Sequence, residues 1–358
     1  MKKGKNILWF KELTIKDIPL VGGKNASLGE MYCQLKKKGV PVPNGFAITA
    51  GAYRYFLKKA GINKKIAEIL KGTTKKNISA RAKQIRHLIL TSSLPQDLQD
   101  EIIKEYKKLS KEYKAGAVDV AVRSSATAED LPGVSFAGQQ ESYLNISGQR
   151  ALLDAIKKCF ASLFTDRAVS YRIDQGFDHN KVSLSVCVQK MVRSDLASSG
   201  VMFTLDTESG NNNVILINAA YGLGEFVVKG VVNPDEYYVF KQMLSKGFKP
   251  IVGKTVGDKN KKLVYSHNEF RPTRSQAVPL MEQKRFVLND EQILHLAKYA
   301  MIIEKHYDRP MDIEWAIDGR TDKIYIVQAR PETIASQKNP NFLEEYILAG
   351  KGKVILTG

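Results

Sequence analysis

An α+β fold is the class the sequence predicts, on three observations. From about Ala50 to Tyr113 apolar residues recur three and four apart in Lys-rich surroundings, the spacing of amphipathic helices. From Val182 to Phe240 short alternating runs such as Leu184-Ser185-Val186-Cys187-Val188 have the period of strands. Asp312 to Ile317 and Ile324 to Arg330 are two further runs around an Asp318-Gly319 turn, the pattern of a β-hairpin. Helical and strand signals thus both occur at length along the chain.

The chain has 358 residues, room for two or three subdomains, and its 43% hydrophobic content supports a packed core and excludes global disorder. No run approaches the ~18 apolar residues of a membrane span. Three cysteines (Cys33, Cys159, Cys187) form neither a disulfide framework nor a CxxC pair, which points to a reducing, cytoplasmic setting. The formal charge is +18, mostly scattered Lys pairs and triplets such as Lys36-Lys37-Lys38. It reads as solvated faces, because no aromatic-basic interleaving or nucleic-acid motif accompanies it.

In chain order, Leu28, Met31 and Leu35 predict a helix that starts just after Gly22-Gly23. Pro41 and Pro43 make the next segment extended. After the helices of 50–113, Val118 to Val122 predicts a strand that ends at Arg123-Ser124-Ser125, then a small-residue loop through Pro132 and Gly133, then a strand near Gln139 to Leu144. Residues 150–174 read as helical, and the strand-rich stretch follows. Asn289 or Asp290 caps a helix to about His306, with Ile293, Leu296, Ala297 and Ala300 on one face.

Two nucleotide signatures fail on spacing. Gly253-Lys254-Thr255 lacks the upstream glycine of a P-loop, since position 248 is Phe248. Gly222-Leu223-Gly224 is half a GxGxxG, but position 227 is Val227. Gly22-Gly23-Lys24 sets a cation at a helix start beside exposed backbone, suited to anionic oxygens, or is an ordinary turn. Arg123 with Ser124 and Ser125 at a strand end suits a phosphate, and the loop from Ala126 to Gly138 suits a lid.

In the hairpin, alternation puts Asp312, Glu314 and Ala316 on one face and Ile324, Ile326, Gln328 and Arg330 on one face of the second strand. Pairing through the turn sets Asp312 near Gln328 and Glu314 near Ile326, with Ile313, Trp315, Tyr325 and Val327 toward the core. A carboxylate and an amide oxygen are hard ligands suited to Mg²⁺, with Arg330 placed for a phosphate; a solvated hairpin face accounts for the same pattern. Gln189-Lys190-Met191-Val192 ends a strand with an apolar edge and free backbone groups, fit for a flat base or plain core. Glu225, after Gly222-Leu223-Gly224, suits ribose hydroxyls or a helix start. The five histidines show no metal or triad spacing.

These segments, in this order, resemble the N-terminal nucleotide-binding domain of the phosphoenolpyruvate synthases, in the family of enzymes that use phosphoenolpyruvate. The resemblance is carried by Val21 to Met31, Val42-Pro43-Asn44-Gly45-Phe46 and the long run Ala121 to Gln139. Ser199 to Thr204, Tyr221 to Glu225, Val232-Asn233-Pro234-Asp235-Glu236, Asp312 to Trp315 and Gln328 to Thr333 complete it. It spans nearly the whole chain, and the intact runs 125–139 and 232–236 favour the synthases over pyruvate phosphate dikinase, rifampicin phosphotransferase and glucan water dikinase.

The resemblance implies an ATP-grasp-like α+β fold with Mg²⁺ and ATP between two subdomains, residues 1–190 and 191–335, followed by a linker at 336–358. It implies that Lys24, Arg123 and Arg330 meet the phosphates and that Glu314 and Gln328 ligate Mg²⁺. Glu225 would hold the ribose, and the backbone from Gln189 through Met191 and Val192 would meet adenine. The family's reaction (pyruvate, water dikinase) converts ATP, pyruvate and water to AMP, phosphoenolpyruvate and phosphate, through a swivelling phosphohistidine domain and a C-terminal pyruvate-binding barrel. No carrier-histidine segment occurs here, so the chain reads as a fragment expected to bind Mg·ATP without completing that reaction. No nucleic-acid or membrane partner is expected.

Overall fold

The computed structural model describes residues 2, 4–127, 141–177, 182–268, 271–333, 336 and 350. Most of the expected lid (128–138) and nearly all of the expected linker at 336–358 lie outside them. Alternation of large apolar residues builds the first sheet from β1 (Ile7–Trp9), β2 (Gly45–Ile48), β3 (Val120–Ala126), β4 (Ser142–Ile146) and β5 (Leu184–Lys190). Its spatial order is β1-β2-β5-β3-β4, all neighbours antiparallel.

The period of two gives this sheet two different faces. Phe46, Ile48, Val120, Val122, Val186 and Val188 enter one core with Phe56, Ile85, Ile102 and Phe160, which come from the helices of 50–112 and from Gln149–Ser162. The other face carries Ala47 and Cys187, which belong to a second core.

That second core lies under a larger sheet. Its strands are β6 (Ser198–Phe203), β7 (Val214–Tyr221), β8 (Asp235–Phe240) and β9 (Ile251–Thr255), then, beyond the separate antiparallel hairpin β10 (Lys261–Asn268) and β11 (Arg271–Ala277), β12 (Met311–Ile317) and β13 (Ile324–Pro331). The order is β13-β12-β6-β7-β8-β9, again antiparallel throughout. Met202, Ile217, Tyr237, Ile313, Trp315 and Ile326 pack there against Leu296, Ala300 and Ile303 of the helix Asp290–Tyr307.

That helix starts as expected. The Asn289 side chain accepts from the Gln292 N–H (2.9 Å), and the Gln292 side chain accepts from the Asn289 N–H (3.1 Å), a reciprocal cap.

The helix Ile18–Glu30 joins the two sheets. Val21, Ala26 and Leu28 belong to the second core, and the Ser27 hydroxyl donates to the Ala329 carbonyl of β13 at 2.7 Å. On its other side Asn25 donates to the Ser185 hydroxyl of β5 at 3.0 Å. Gly253-Lys254-Thr255 lies on β9, so the rejected P-loop tripeptide is strand rather than loop. No helix among the described residues is long and apolar enough to cross a membrane.

Candidate functional site

The hairpin β12–β13 forms, but its register differs from simple alternation. Ile317 pairs with Ile324, Ala316 with Tyr325 and Trp315 with Ile326; then the register shifts, and Glu314 faces Gln328 while Asp312 faces Arg330. Val327 is the extra residue, a β-bulge. In a regular strand Ile326 and Gln328 share a face; the bulge separates them. Ile324 and Ile326 are therefore core residues, whereas Tyr325 and Val327 are half-buried, the reverse of the expectation. Asp312 stands opposite Arg330 instead of Gln328, and Glu314 opposite Gln328 instead of Ile326.

The bulge brings four polar side chains together. Arg330 donates from Nε and Nη2 to Asp312 Oδ2, both at 2.8 Å. Burial pushes the Asp312 carboxyl above its ordinary value, and the Arg330 guanidinium offsets only part of that rise. Gln328 is 6% exposed, so its amide is held in place by packing.

The first sheet supplies the opposing groups. On β3 and β5, Arg123 pairs with Cys187, Ser125 with Ser185 and Ala121 with Gln189, all on the face away from the helical core. Arg123 lies within the strand rather than after it. Ser124 points the other way, its hydroxyl donating to the Glu141 carbonyl at 3.4 Å, so only Ser125 shares the arginine's face. Arg123 Nη1 reaches Glu314 Oε2 and Gln328 Oε1, each at 3.5 Å, across 191 and 205 residues of chain. Its Nε, the Ser125 hydroxyl and the Asn25 side-chain oxygen are buried without a hydrogen-bond partner among the described residues.

Lys24 enters from the joining helix. That helix is kinked at Gly22 (φ 73°, ψ 166°), and a new helical segment starts beyond it, as the glycine pair predicts. Gly22 and Gly23 are buried, not exposed: a Cβ on Gly22 would lie 2.3 Å from the Ser125 hydroxyl. This close approach seats Lys24, half-buried, beside β3 and β5. Burial pushes the Cys187 thiol up to about 12, against the opposing pull of Arg123 and Lys24.

The segment Gln189 to Val192 has fewer free backbone groups than expected. Gln189 is 2% exposed in a central strand, paired to Gly45 and Ala121. The N–H groups of Lys190 and Met191 donate to the Asn44 and Asp119 carbonyls, each at 3.0 Å. Met191 packs in a small apolar cluster with Ala121, Leu144, Leu223 and Leu263. Leu223 brings Glu225, first residue of the short helix Glu225–Val228 and ion-paired to Lys229, into this neighbourhood.

Around Met191 the structure adds residues that the sequence reading passed over. Asp119 accepts from Lys190 Nζ (2.9 Å) and from the Tyr265 hydroxyl (2.6 Å), and the Arg193 guanidinium lies 4.4 Å from the Tyr265 ring centre. Counting parity along β3 and β5 would have found Ser125 and Ser185; Asp119–Tyr265 joins residues 146 apart and leaves no local signal.

Among the described residues no three His, Cys, Asp or Glu side chains cluster as a metal cage. A Mg²⁺ site does not need one, because Mg²⁺ keeps several waters and binds through one or two protein oxygens plus substrate phosphates. Glu314 and Gln328 fit that requirement: their oxygens converge on one cationic nitrogen, Arg123 Nη1.

The model of the family described as pyruvate phosphate dikinase, AMP/ATP-binding domain, matches residues 18–346. The chain is 54% identical over 365 residues to the phosphoenolpyruvate synthase of Synechocystis, covering 98% of this chain and 45% of that protein. It is 52% identical to the phosphoenolpyruvate synthase of Aquifex aeolicus (98% and 43%) and 50% identical to that of Escherichia coli (98% and 45%). It thus spans less than half the length of these curated relatives.

Proposed function

Because the chain belongs to the pyruvate phosphate dikinase AMP/ATP-binding domain family, we propose that it binds Mg·ATP between its two larger sheets, in an ATP-grasp arrangement with halves 1–190 and 191–335. The observation that carries this reading is the meeting of Arg123 from one sheet with Glu314 and Gln328 from the other. It places a cation and two hard oxygens at one point, as a metal–triphosphate complex requires.

In this reading Lys24, Arg123 and Arg330 bind and orient the phosphates. Glu314 and Gln328 hold Mg²⁺, which neutralises phosphate charge when bound. Met191, with Leu223 and Leu263, supplies an apolar wall for the base beside Val192 and the backbone that follows Gln189. Glu225 holds the ribose. Phosphoryl transfer depends mainly on position and charge neutralisation, so cations held by strands suit it.

Identity to phosphoenolpyruvate synthases supports a wider assignment. We propose that the domain serves a pyruvate, water dikinase, holding the ATP from which a carrier histidine is phosphorylated before that group passes to pyruvate in a barrel, with 336–358 as the connection. Calorimetric titration with ATP, with and without Mg²⁺, tests the site. Glu314→Ala and Arg330→Ala should each weaken Mg·ATP binding roughly tenfold or more. Metal-independent binding that survives both changes would overturn it.

A further inference from the structure

We infer that Arg123 is the resident counter-cation of the Glu314–Gln328 pair, and that a divalent cation entering with nucleotide takes its place and frees the guanidinium for phosphate. The inference rests on the proposed Mg·ATP site and adds an order of events to it.

Three observations carry it. First, a single nitrogen of Arg123 faces both oxygens that the metal would use. Second, the contact is long. Arg330 holds Asp312 through two 2.8 Å contacts and Arg193 holds Asp195 through two 2.8 Å bonds, whereas Arg123 reaches its partners at 3.5 Å and its buried Nε has no partner among the described residues. A guanidinium has five donors, and this one is underused. It is placed to leave.

Third, the charges decide the order. Gln328 is neutral, so Glu314 and Arg123 together sum to zero. A divalent cation added to them leaves two net positive charges, and the neighbouring Asp312 is already paired with Arg330. Like charges at this range repel strongly in a partly buried setting. A triphosphate removes that penalty, because it brings the negative charge that both the metal and the displaced guanidinium need. Metal alone should therefore bind weakly, and metal with nucleotide tightly. Because Arg123 stands on β3 and its partners on β12 and β13, the exchange also breaks a contact between the sheets at the moment of loading.

The test uses the 358-residue chain and Mn²⁺ followed by electron paramagnetic resonance without nucleotide. Arg123→Met should bind Mn²⁺ about tenfold tighter than the unmodified chain, because the competing charge is gone. Arg123→Lys, which keeps the charge, should not tighten. The same Arg123→Met should bind Mg·ATP about tenfold or more weakly. No gain of Mn²⁺ affinity in a folded Arg123→Met overturns the exchange. In the unmodified chain, the ¹⁵N resonance of the Arg123 guanidinium, assigned with Arg123→Lys, should move as Mg²⁺ saturates the site; a resonance that stays fixed also overturns it. If Glu314→Ala leaves Mg·ATP binding intact, the site assignment itself fails. If Glu314→Ala weakens binding but Arg123→Met gains no metal affinity, only the exchange fails.

Discussion

Glu314 lies directly opposite Gln328, and the single extra residue Val327 separates that pair from the Trp315–Ile326 pair beside it. The core half of the hairpin and its polar half thus follow different parities. A regular ladder would have put either Ile326 on the polar face with Glu314 or Gln328 in the second core.

Deleting Val327 should therefore be tolerated. It leaves Ile326 in the second core and Gln328 and Arg330 on the Asp312–Glu314 face, so Mg·ATP affinity should stay within about tenfold of the unmodified chain. Deleting Ala329 cannot keep both Gln328 and Arg330 on the Asp312–Glu314 face and should cost about 100-fold or more. Calorimetry on the two deletions separates these outcomes; equal damage from both would refute the parity argument.

Gly22→Ala should destabilise the fold by about 2–5 kcal/mol, through the positive φ and the approach to Ser125. Urea unfolding measures it. Because the kink seats Lys24, the variant should also bind Mg·ATP more weakly under conditions where it remains folded. A neutral Gly22→Ala would show that the close approach relaxes freely.

Lys259 and Asp235 form an ion pair with neither side chain exposed to solvent. Lys259 Nζ also donates to the Gly257 and Gln283 carbonyls (2.9 and 3.0 Å), and Asp235 accepts from the Gly257 and Val287 N–H groups (2.9 and 2.7 Å). The pair ties the loop after β9 and the segment before the helix Asp290–Tyr307 to β8. Lys259→Met leaves an uncompensated carboxylate and should cost about 3–5 kcal/mol, while the double change Lys259→Met with Asp235→Asn should recover part of the loss. Denaturation midpoints of the single and double variants test this.

Asp119 sets an acid limb of stability. Burial alone would raise its carboxyl, but the Lys190 ammonium and the Tyr265 hydroxyl outweigh it and hold the group below its ordinary value of 3.8. A depressed folded value means that the stabilisation is complete above 3.8 and is lost as pH falls through the folded value. Lys190→Met should therefore lower the melting temperature more at about pH 7 than at acid pH below the folded value of Asp119, where that carboxyl is protonated in both states. An equal loss at both pH values would assign Lys190 a packing role instead.

Much of this architecture is legible in the chain itself. Helical spacing over 50–113, the Asn289 cap, the alternating runs at 184–188 and 312–317 and the helix start after Gly22-Gly23 are local, because each depends on backbone propensities and on periods of 3.6 or 2. They determined the α+β class and the residue types available to the site. The rest was decided over distance. Val327 bulges because Trp315 and Ile326 must fill the core while Gln328 meets Glu314, and only cross-strand packing imposes both. Arg123 reaches Glu314 across 191 residues because the helix Ile18–Glu30 holds the two sheets together. Local pattern ranks what each residue can do; the tertiary contacts, whose energies come from packing distant segments together, select which of those residues act at one point.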